Sequence, residues 1–296
     1  MRGVTLIELV VTIALLAILA AVASVYIAPA LDAYFASQRR AGLADVSDSA
    51  MRRMMRDVRL ALPNSARVAT PPGGDHFLEI LLTRTGGRYR SVNDDNPATT
   101  ENPLAFDGND DGIFDAYETA AALADLPAGQ VPQAGDYVVI HNLGITGANA
   151  YDGIAAASPN IGRISVFDFG GGGGGLPDEN RITLNPATQF ALESPGRRFF
   201  VISGPVTYAC VGAGLSGGNG TGTLLRWSGY PLQAAQPTAA PGGTSAVLAG
   251  NISACEMRYT NTLHLEARGL VAVRLAITRS DETVPLYFEA HINNVP

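Results

Sequence analysis

Hydrophobic residues fill the start of the chain almost without interruption. From Val4 to Leu31 the only side chain that is charged at neutral pH is Glu8. An apolar run of about eighteen or more residues is typical of a membrane-spanning helix, since about twenty helical residues cross the hydrocarbon core. A cleaved secretory signal would have a shorter apolar core with a small-residue cleavage site after it. The pattern therefore predicts a retained transmembrane segment at residues 4–28.

Beyond Pro29 the apolar positions recur at spacings of three and four residues or their sums. They are Leu31, Phe35, Leu43, Val46, Ala50, Met54, Val58 and Leu62. The charged positions that fall on the other face are Arg39, Arg40, Asp45, Asp48, Arg52, Arg53, Arg56, Asp57 and Arg59. Pro63 ends the pattern, because proline disfavours helix in the residue before it. This spacing predicts that the same helix continues amphipathically over residues 29–62 and packs its apolar face on a sheet.

The rest of the chain has the texture of β-structure. Short runs rich in branched and aromatic residues are separated by polar or glycine-rich insertions, which is typical of strands and their connections. The runs are residues 77–83, 136–143, 163–169, 197–210, 224–230, 254–259, 270–278 and 284–292. Strands packed on one long N-terminal helix predict an α+β fold, with a β-rich body at residues 63–296.

Composition narrows the function classes. The chain has 296 residues, of which 47% are hydrophobic and 16% charged, with a formal net charge of −7. A nucleic-acid-binding protein usually shows a basic stripe and a high isoelectric point. The acidic balance therefore argues against a nucleic-acid partner.

The residues around Glu8 resemble a known processing signal. Gly-Val-Thr-Leu-Ile-Glu-Leu-Val, residues 3–10, is similar to the signal of type IV prepilins and pseudopilins. In that family a prepilin peptidase cuts after the glycine and methylates the new N-terminus. The resemblance implies that residues 1–3 are a leader, that Gly3 precedes the cut and that Val4 becomes the first mature residue. Valine is a departure, since phenylalanine or methionine usually stands there.

The resemblance also gives Glu8 a role. A carboxylate inside a bilayer is costly, at about 2.5–3.5 kcal/mol on insertion scales. In the family this glutamate pairs with the N-terminal amine of an adjacent subunit, which implies the same role in filament assembly for Glu8. The alternative from the residues alone is a shallow side chain that reaches the lipid headgroups.

Further segments are similar to minor pilins of mannose-sensitive haemagglutinin (MSHA) type IV pili. They are residues 52–68 at the helix end and residues 135–144, 148–153 and 193–210 in the body. The likeness implies a type IV pilin fold, in which the long helix packs on an antiparallel sheet with large insertions. It also implies a minor pilin that primes or caps the filament, with other pilins, the prepilin peptidase and the inner-membrane assembly platform as partners.

Two other functions stay open beside the minor pilin. One is a large J-type pseudopilin of a type II secretion system, and the other is a tip adhesin with a surface or glycan ligand. The expected location is the inner membrane, crossed once, with the N-terminus cytoplasmic and the body periplasmic. After assembly the subunit is expected in the extracellular pilus, near its tip.

An acidic segment matches the pattern of a calcium-binding loop. Residues 107–118 fit D-x-[DN]-x-[DN]-G-x5-E, in which closely spaced oxygens surround a hard cation. The expected Ca²⁺ ligands are Asp107, Asn109, Asp111, Ile113 through its carbonyl, Asp115 and Glu118. The residues before the loop are not helical, so this would be an isolated EF-hand-like loop, and an acidic surface turn is the alternative.

The cysteines and the absent motifs complete the prediction. If the body lies outside the cytoplasm, Cys210 and Cys255 are expected to form a disulfide. The four histidines have no metal-ligand spacing, and no G-x-S-x-G, H-E-x-x-H or C-x-x-C pattern occurs. The sequence therefore predicts a substrate of the prepilin peptidase and methyltransferase, not an enzyme.

Overall fold

The chain folds as one long helix followed by a β-rich body, in agreement with the predicted α+β class. The computed structural model describes residues 3–92, 101–108, 111–117, 125–156, 159–170, 179–261 and 268–295. The helix comes first and the strands follow it, with a short 3₁₀ turn at Ala150–Asp152. This arrangement of an apolar N-terminal helix and an antiparallel sheet is that of a type IV pilin fold.

Helix α1 (Leu6–Arg59) has 54 residues, a length of about 80 Å at the usual rise per residue. It starts after the N-cap Thr5 and ends at Arg59 before the C-cap Leu60, close to the predicted bounds, and it passes through Pro29 without a break. It is long and apolar enough to cross a membrane, since its most apolar window has a mean hydropathy of 2.8 and none of that window is buried by the body. The first half of the helix therefore makes no buried contact with the body of this chain.

The second half of α1 packs on the body along a narrow stripe. The buried residues are Leu43, Ser47, Ala50, Met51, Met54, Met55, Asp57 and Val58. The predicted apolar face is confirmed at Leu43, Ala50, Met54 and Val58, and Leu62 is buried just beyond the helix. It is wrong at three positions, because the side chains of Leu31 (50%), Phe35 (54%) and Val46 (49%) stay exposed. The body buries helix side chains only from Leu43 onward.

The described strands form an eleven-stranded antiparallel sheet and a separate two-stranded hairpin. The strands are β1 (Arg67–Ala69), β2 (His76–Arg88), β3 (Ile113–Ala116), β4 (Tyr137–Ile140), β5 (Ile161–Asp168), β6 (Asn180–Leu184), β7 (Arg198–Val211), β8 (Leu215–Ser216), β9 (Asn219–Gly220), β10 (Gly222–Ser228), β11 (Thr244–Asn261), β12 (Arg268–Arg279) and β13 (Glu282–Asn293). Each of the eight predicted runs overlaps one of these strands.

Strand β7 organises the sheet, because it has different partners along its length. One edge pairs with β2 from end to end. The other edge pairs with β4 in its first half and with β10 in its second half. From there the sheet continues as β10–β11–β12–β13 on one side and as β4–β5–β6–β3 on the other. We refer to these two parts as the helix wing and the insertion wing.

Each wing has its own core. The helix wing buries α1 against β2, β7 and β10–β13, with Met51, Met54 and Tyr208 among the fully buried side chains. The insertion wing has a second apolar cluster that includes Phe114, Ile182 and Phe199. Two of its strands, β3 and β6, lie outside every run that the sequence predicted. The insertion wing is therefore a packed part of the body and not a set of surface loops.

Candidate functional site

The predicted processing site lies just before the helix. Gly3 and Val4 are exposed and precede the N-cap residue Thr5, whose backbone is extended. A side chain added at Gly3 would meet no atom of this chain within 4 Å. The fold itself thus places no demand for glycine at this position.

Glu8 has a local role that the sequence analysis missed. Thr5 is the N-cap, and its hydroxyl oxygen accepts a hydrogen bond from the Glu8 backbone N–H at 3.4 Å. Thr-x-x-Glu is the capping-box pattern, and a negative charge in the first turn also interacts favourably with the helix dipole. The Thr-x-x-Glu spacing of Thr5 and Glu8 in the sequence could have predicted this cap. Any test of a pairing role for Glu8 has to separate its charge from capping.

The surface around Glu8 and along the first half of α1 is apolar and uncovered. Large hydrophobic side chains there are between 49% (Val22) and 82% (Leu6) exposed, and the row continues to Tyr34 and Phe35. Soluble monomers rarely expose continuous apolar surface of this size, whereas bilayers and helical bundles cover it. The segment is therefore built to be surrounded by lipid or by other helices.

A buried ion pair joins the second half of α1 to the sheet. The Asp57 carboxylate Oδ2 accepts hydrogen bonds from the Tyr208 hydroxyl at 2.7 Å and from Arg226 Nε at 2.9 Å. Burial, followed by the Asp57 charge, raises the pKa of Tyr208 well above its ordinary value, so its hydroxyl stays a donor. Helical spacing predicts Asp57 on the solvated face, but only 5% of the residue is exposed.

An exposed contact ties the helix to the far edge of the helix wing. Arg40 donates a hydrogen bond to Glu282, at the start of edge strand β13. The hydrogen bond from Arg40 lowers the pKa of Glu282. The Arg40 side chain is 63% exposed and that of Glu282 is 19% exposed. Together with Asp57, this contact fixes how the body sits on the helix.

The predicted calcium ligands are only partly within the described residues. Asn109 and Glu118 lie outside them. Asp111 Oδ1 accepts the Ile113 N–H at 2.9 Å, and Ile113 begins strand β3. Among the described residues no three His, Cys, Asp or Glu side chains are grouped as they would be around a metal ion.

Asp115, the ninth residue of the predicted loop, has another partner. It is fully buried in β3, and its two carboxylate oxygens accept hydrogen bonds from Arg181 at 2.8 and 3.0 Å. One of these oxygens also accepts the Asn102 N–H at 3.0 Å. Asp115 thus neutralises Arg181 across the β3–β6 pair in this structure. Calcium binding by the remaining residues, including Asp107, stays a prediction.

The structure holds both cysteines of the expected disulfide as thiols. Cys210 is fully buried near the end of β7, and Cys255 is partly exposed on β11. The hydrogen bond between the two thiols, followed by burial, raises the pKa of Cys255 far above its ordinary value. The disulfide itself stays a prediction.

With this geometry in place, comparison with known families identifies the N-terminus. Residues 1–24 match the prokaryotic N-terminal methylation motif. The motif covers Gly3, Val4 and Glu8 and runs into the exposed apolar part of α1. No curated protein and no solved structure was found to match the chain.

The methylation motif and the fold together support a pilin or a pseudopilin. They indicate a structural subunit that is a substrate of a prepilin peptidase and not an enzyme, and that interacts with other pilins. The apolar helix and the motif also indicate a membrane-anchored, pilus-associated protein.

Proposed function

We propose that this protein is a minor pilin of an MSHA-like type IV pilus that acts in initiation or tip assembly of the filament. The observation that carries the proposal is the methylation motif leading without a break into a 54-residue helix whose side chains the body buries only from Leu43 onward. The finer assignment is supported by the similarity of residues 52–68, 135–144, 148–153 and 193–210 to MshO, a minor pilin of that pilus.

In this proposal the helix N-terminus is cytoplasmic and the body is periplasmic. The prepilin peptidase cuts between Gly3 and Val4 and methylates the new amine. The assembly platform then lifts the subunit into a filament of major and minor pilins. Because Glu8 is present, another subunit's N-terminus can lie beside it, which suits a position just below the tip with a partner on each side.

The charge of Glu8 gives the assembly step its register. Before assembly Glu8 lies near the cytoplasmic surface, where water can reach it. In a dry bundle of helices an unpaired carboxylate is expensive, whereas a paired and hydrogen-bonded one is tolerated. The ammonium of an adjacent subunit's first residue supplies the pair, and the pair sets the axial offset between neighbours.

The test compares Glu8→Gln with Thr5→Ala. Glutamine keeps the side chain that completes a capping box and removes the charge, whereas Thr5→Ala removes the cap and keeps the charge. We expect Glu8→Gln to insert into the membrane and to be cleaved, but to lose co-purification with partner pilins and to reduce pilus number. Thr5→Ala should retain both the co-purification with partner pilins and the normal pilus number. If Glu8→Gln assembles normally, Glu8 is a shallow carboxylate and the pairing role is wrong.

A J-type pseudopilin of a type II secretion system is the second candidate, favoured by the size of the body and its packed insertion wing. Deleting the gene separates the two functions. Loss of surface pili with normal protein secretion supports the minor pilin, whereas loss of secretion with normal pili supports the pseudopilin.

A tip adhesin is the third candidate. On the helix wing, Arg274 lies 5.3 Å from the ring of Tyr287 beside an open groove, an arrangement that can meet a polar surface or glycan ligand. Tyr287→Ala should reduce attachment of piliated cells without changing pilus number.

Calcium binding at residues 107–118 is a separate proposal. With Asp115 engaged by Arg181, it depends on Asp107, Asn109, Asp111 and Glu118. Calorimetry on the detergent-solubilised chain tests it, and equal binding by Asp111→Ala would contradict it.

A further inference from the structure

Cys210 and Cys255 lie on strands that are not paired with each other. Cys210, near the end of β7, is paired in register with His76 at the start of β2. Cys255 lies in the second half of β11, beyond Ile252, where the pairing with β10 ends. The Met257 backbone N–H donates a hydrogen bond to His76 Nδ1 at 3.3 Å, so this half of β11 rests against the start of β2.

The two cysteines lie inside the helix wing. Cys210 belongs to the apolar cluster that also contains the buried face of α1, and Cys255 packs against that cluster. A disulfide requires the two Cβ atoms to converge. Cysteines that already pack in one cluster of the folded chain can be joined with little backbone movement.

Access to the two sulfur atoms is unequal. Cys210 is fully buried. Cys255 is partly exposed and lines an open groove of about 790 Å³ together with His76, Glu256 and Leu286. A molecule that enters from solvent through this groove meets Cys255 first, while Cys210 lies behind it.

We propose that Cys210 and Cys255 are a redox pair with a fixed direction of exchange, in which Cys255 reacts with an external disulfide and Cys210 closes the bridge. The Cys255 thiolate attacks the external disulfide, forms a mixed disulfide and releases one thiolate. The Cys210 thiolate then attacks the Cys255 sulfur and releases the second. The chain loses two protons and two electrons, and the external disulfide is reduced to two thiols.

The environment of Cys255 sets the speed of this exchange. The thiolate is the attacking species, and the hydrogen bond to Cys210, followed by burial, raises the pKa of Cys255. Oxidation is therefore slow at neutral pH and becomes faster as the pH rises. The pair acts as a structural clasp that forms after folding.

The clasp would change how force is carried through the body. β11–β13 join β7 through β10, and the bridge adds a covalent link from β11 to β7 itself. For a subunit of a filament under tension, this link would keep the helix wing closed. This consequence, and the oxidising compartment that it needs, rest on the proposed function.

The first test uses the reduced, folded full chain in detergent with oxidised glutathione as the external disulfide. We expect a product lighter by two hydrogen atoms with Cys210 joined to Cys255. Brief maleimide labelling of the reduced chain should modify Cys255 before Cys210 in the peptide map. Absence of the bridge, or labelling of Cys210 at an equal or higher rate, overturns the proposal.

Single variants test the direction independently. Cys210→Ser should leave a Cys255 that forms a stable mixed disulfide with glutathione in the folded chain. Cys255→Ser should leave a Cys210 that reacts only after denaturation, and the reverse pattern contradicts the proposal. A chain that forms the bridge in vitro but is isolated from cell envelopes as two thiols supports the redox pair and contradicts the exported body of the proposed function.

Discussion

The contact between Asp57, Tyr208 and Arg226 gives the sharpest prediction about how the body holds the helix. Asp57→Ala removes the shared acceptor of two hydrogen bonds, at 2.7 Å from Tyr208 and 2.9 Å from Arg226. Only 13% of the Arg226 side chain is exposed. The variant thus leaves a guanidinium and a hydroxyl without their partner in a mostly dry interface.

Breaking a buried ion pair by removing one partner costs about 3–5 kcal/mol, because the remaining charge is uncompensated. For a body of this size such a loss lowers the melting temperature by about 6–20 °C. Asp48→Ala is the matched control. Asp48 pairs with Arg52 on the same helix, but the two side chains are 40% and 75% exposed, and an exposed pair contributes about 0–1 kcal/mol.

The single tryptophan provides the assay. Trp227 lies next to Arg226 on β10, is 7% exposed and stacks on Phe77. Denaturant unfolding of the detergent-solubilised chain, followed by its fluorescence, reports the helix wing directly. If Asp57→Ala and Asp48→Ala lose the same free energy of unfolding to within about 1 kcal/mol, the buried pair does not anchor the helix as described.

Three further predictions concern cleavage after Gly3, the titration of Glu79 and calcium binding by Asp111. Gly3→Arg should leave the unprocessed form in the membrane, identified by the intact mass of the extracted chain, whereas processing at the normal rate would contradict the cut after Gly3. Burial raises the pKa of Glu79 above its ordinary value of 4.5, so its contribution to stability is present below that pH and is lost as the pH rises through the raised value. The free energy of unfolding of Glu79→Gln, measured against that of the unchanged chain, should therefore improve as the pH rises from 4.5, and a constant difference would refute this. Asp111→Ala should weaken calcium binding at least tenfold by calorimetry, with Asp152→Ala as an exposed control, and equal affinities would contradict the loop.

Much of the helix and of the helix wing could be predicted from the sequence. A long apolar run leaves few alternatives to a membrane helix, and alternating runs such as residues 270–278 indicate half-buried strands on their own. The insertion wing was harder to predict, because β3 (Ile113–Ala116) lies inside an acidic segment that reads as a loop. Its strand character comes from pairing with β6 and from the Asp115–Arg181 contact, and pattern alone does not reveal such a partner.

The buried stripe of α1 also could not be predicted from the pattern alone. Helical spacing put Val46 on the packed face and Asp57 on the solvated face, and both assignments were wrong. The choice between adjacent positions depends on the side from which the sheet approaches, and a buried aspartate depends on the arginine that meets it. The Thr5–Glu8 capping box, by contrast, is local and was readable from its spacing.

The central claim is that the chain is processed at its N-terminus as a prepilin. N-terminal mass spectrometry of the protein extracted from cell membranes tests it most directly, because both the cut and the methyl group appear in one peptide. We predict a mature chain that begins at Val4 with a methylated amine. A chain that begins at Met1, or one that begins beyond Ala23, would contradict it.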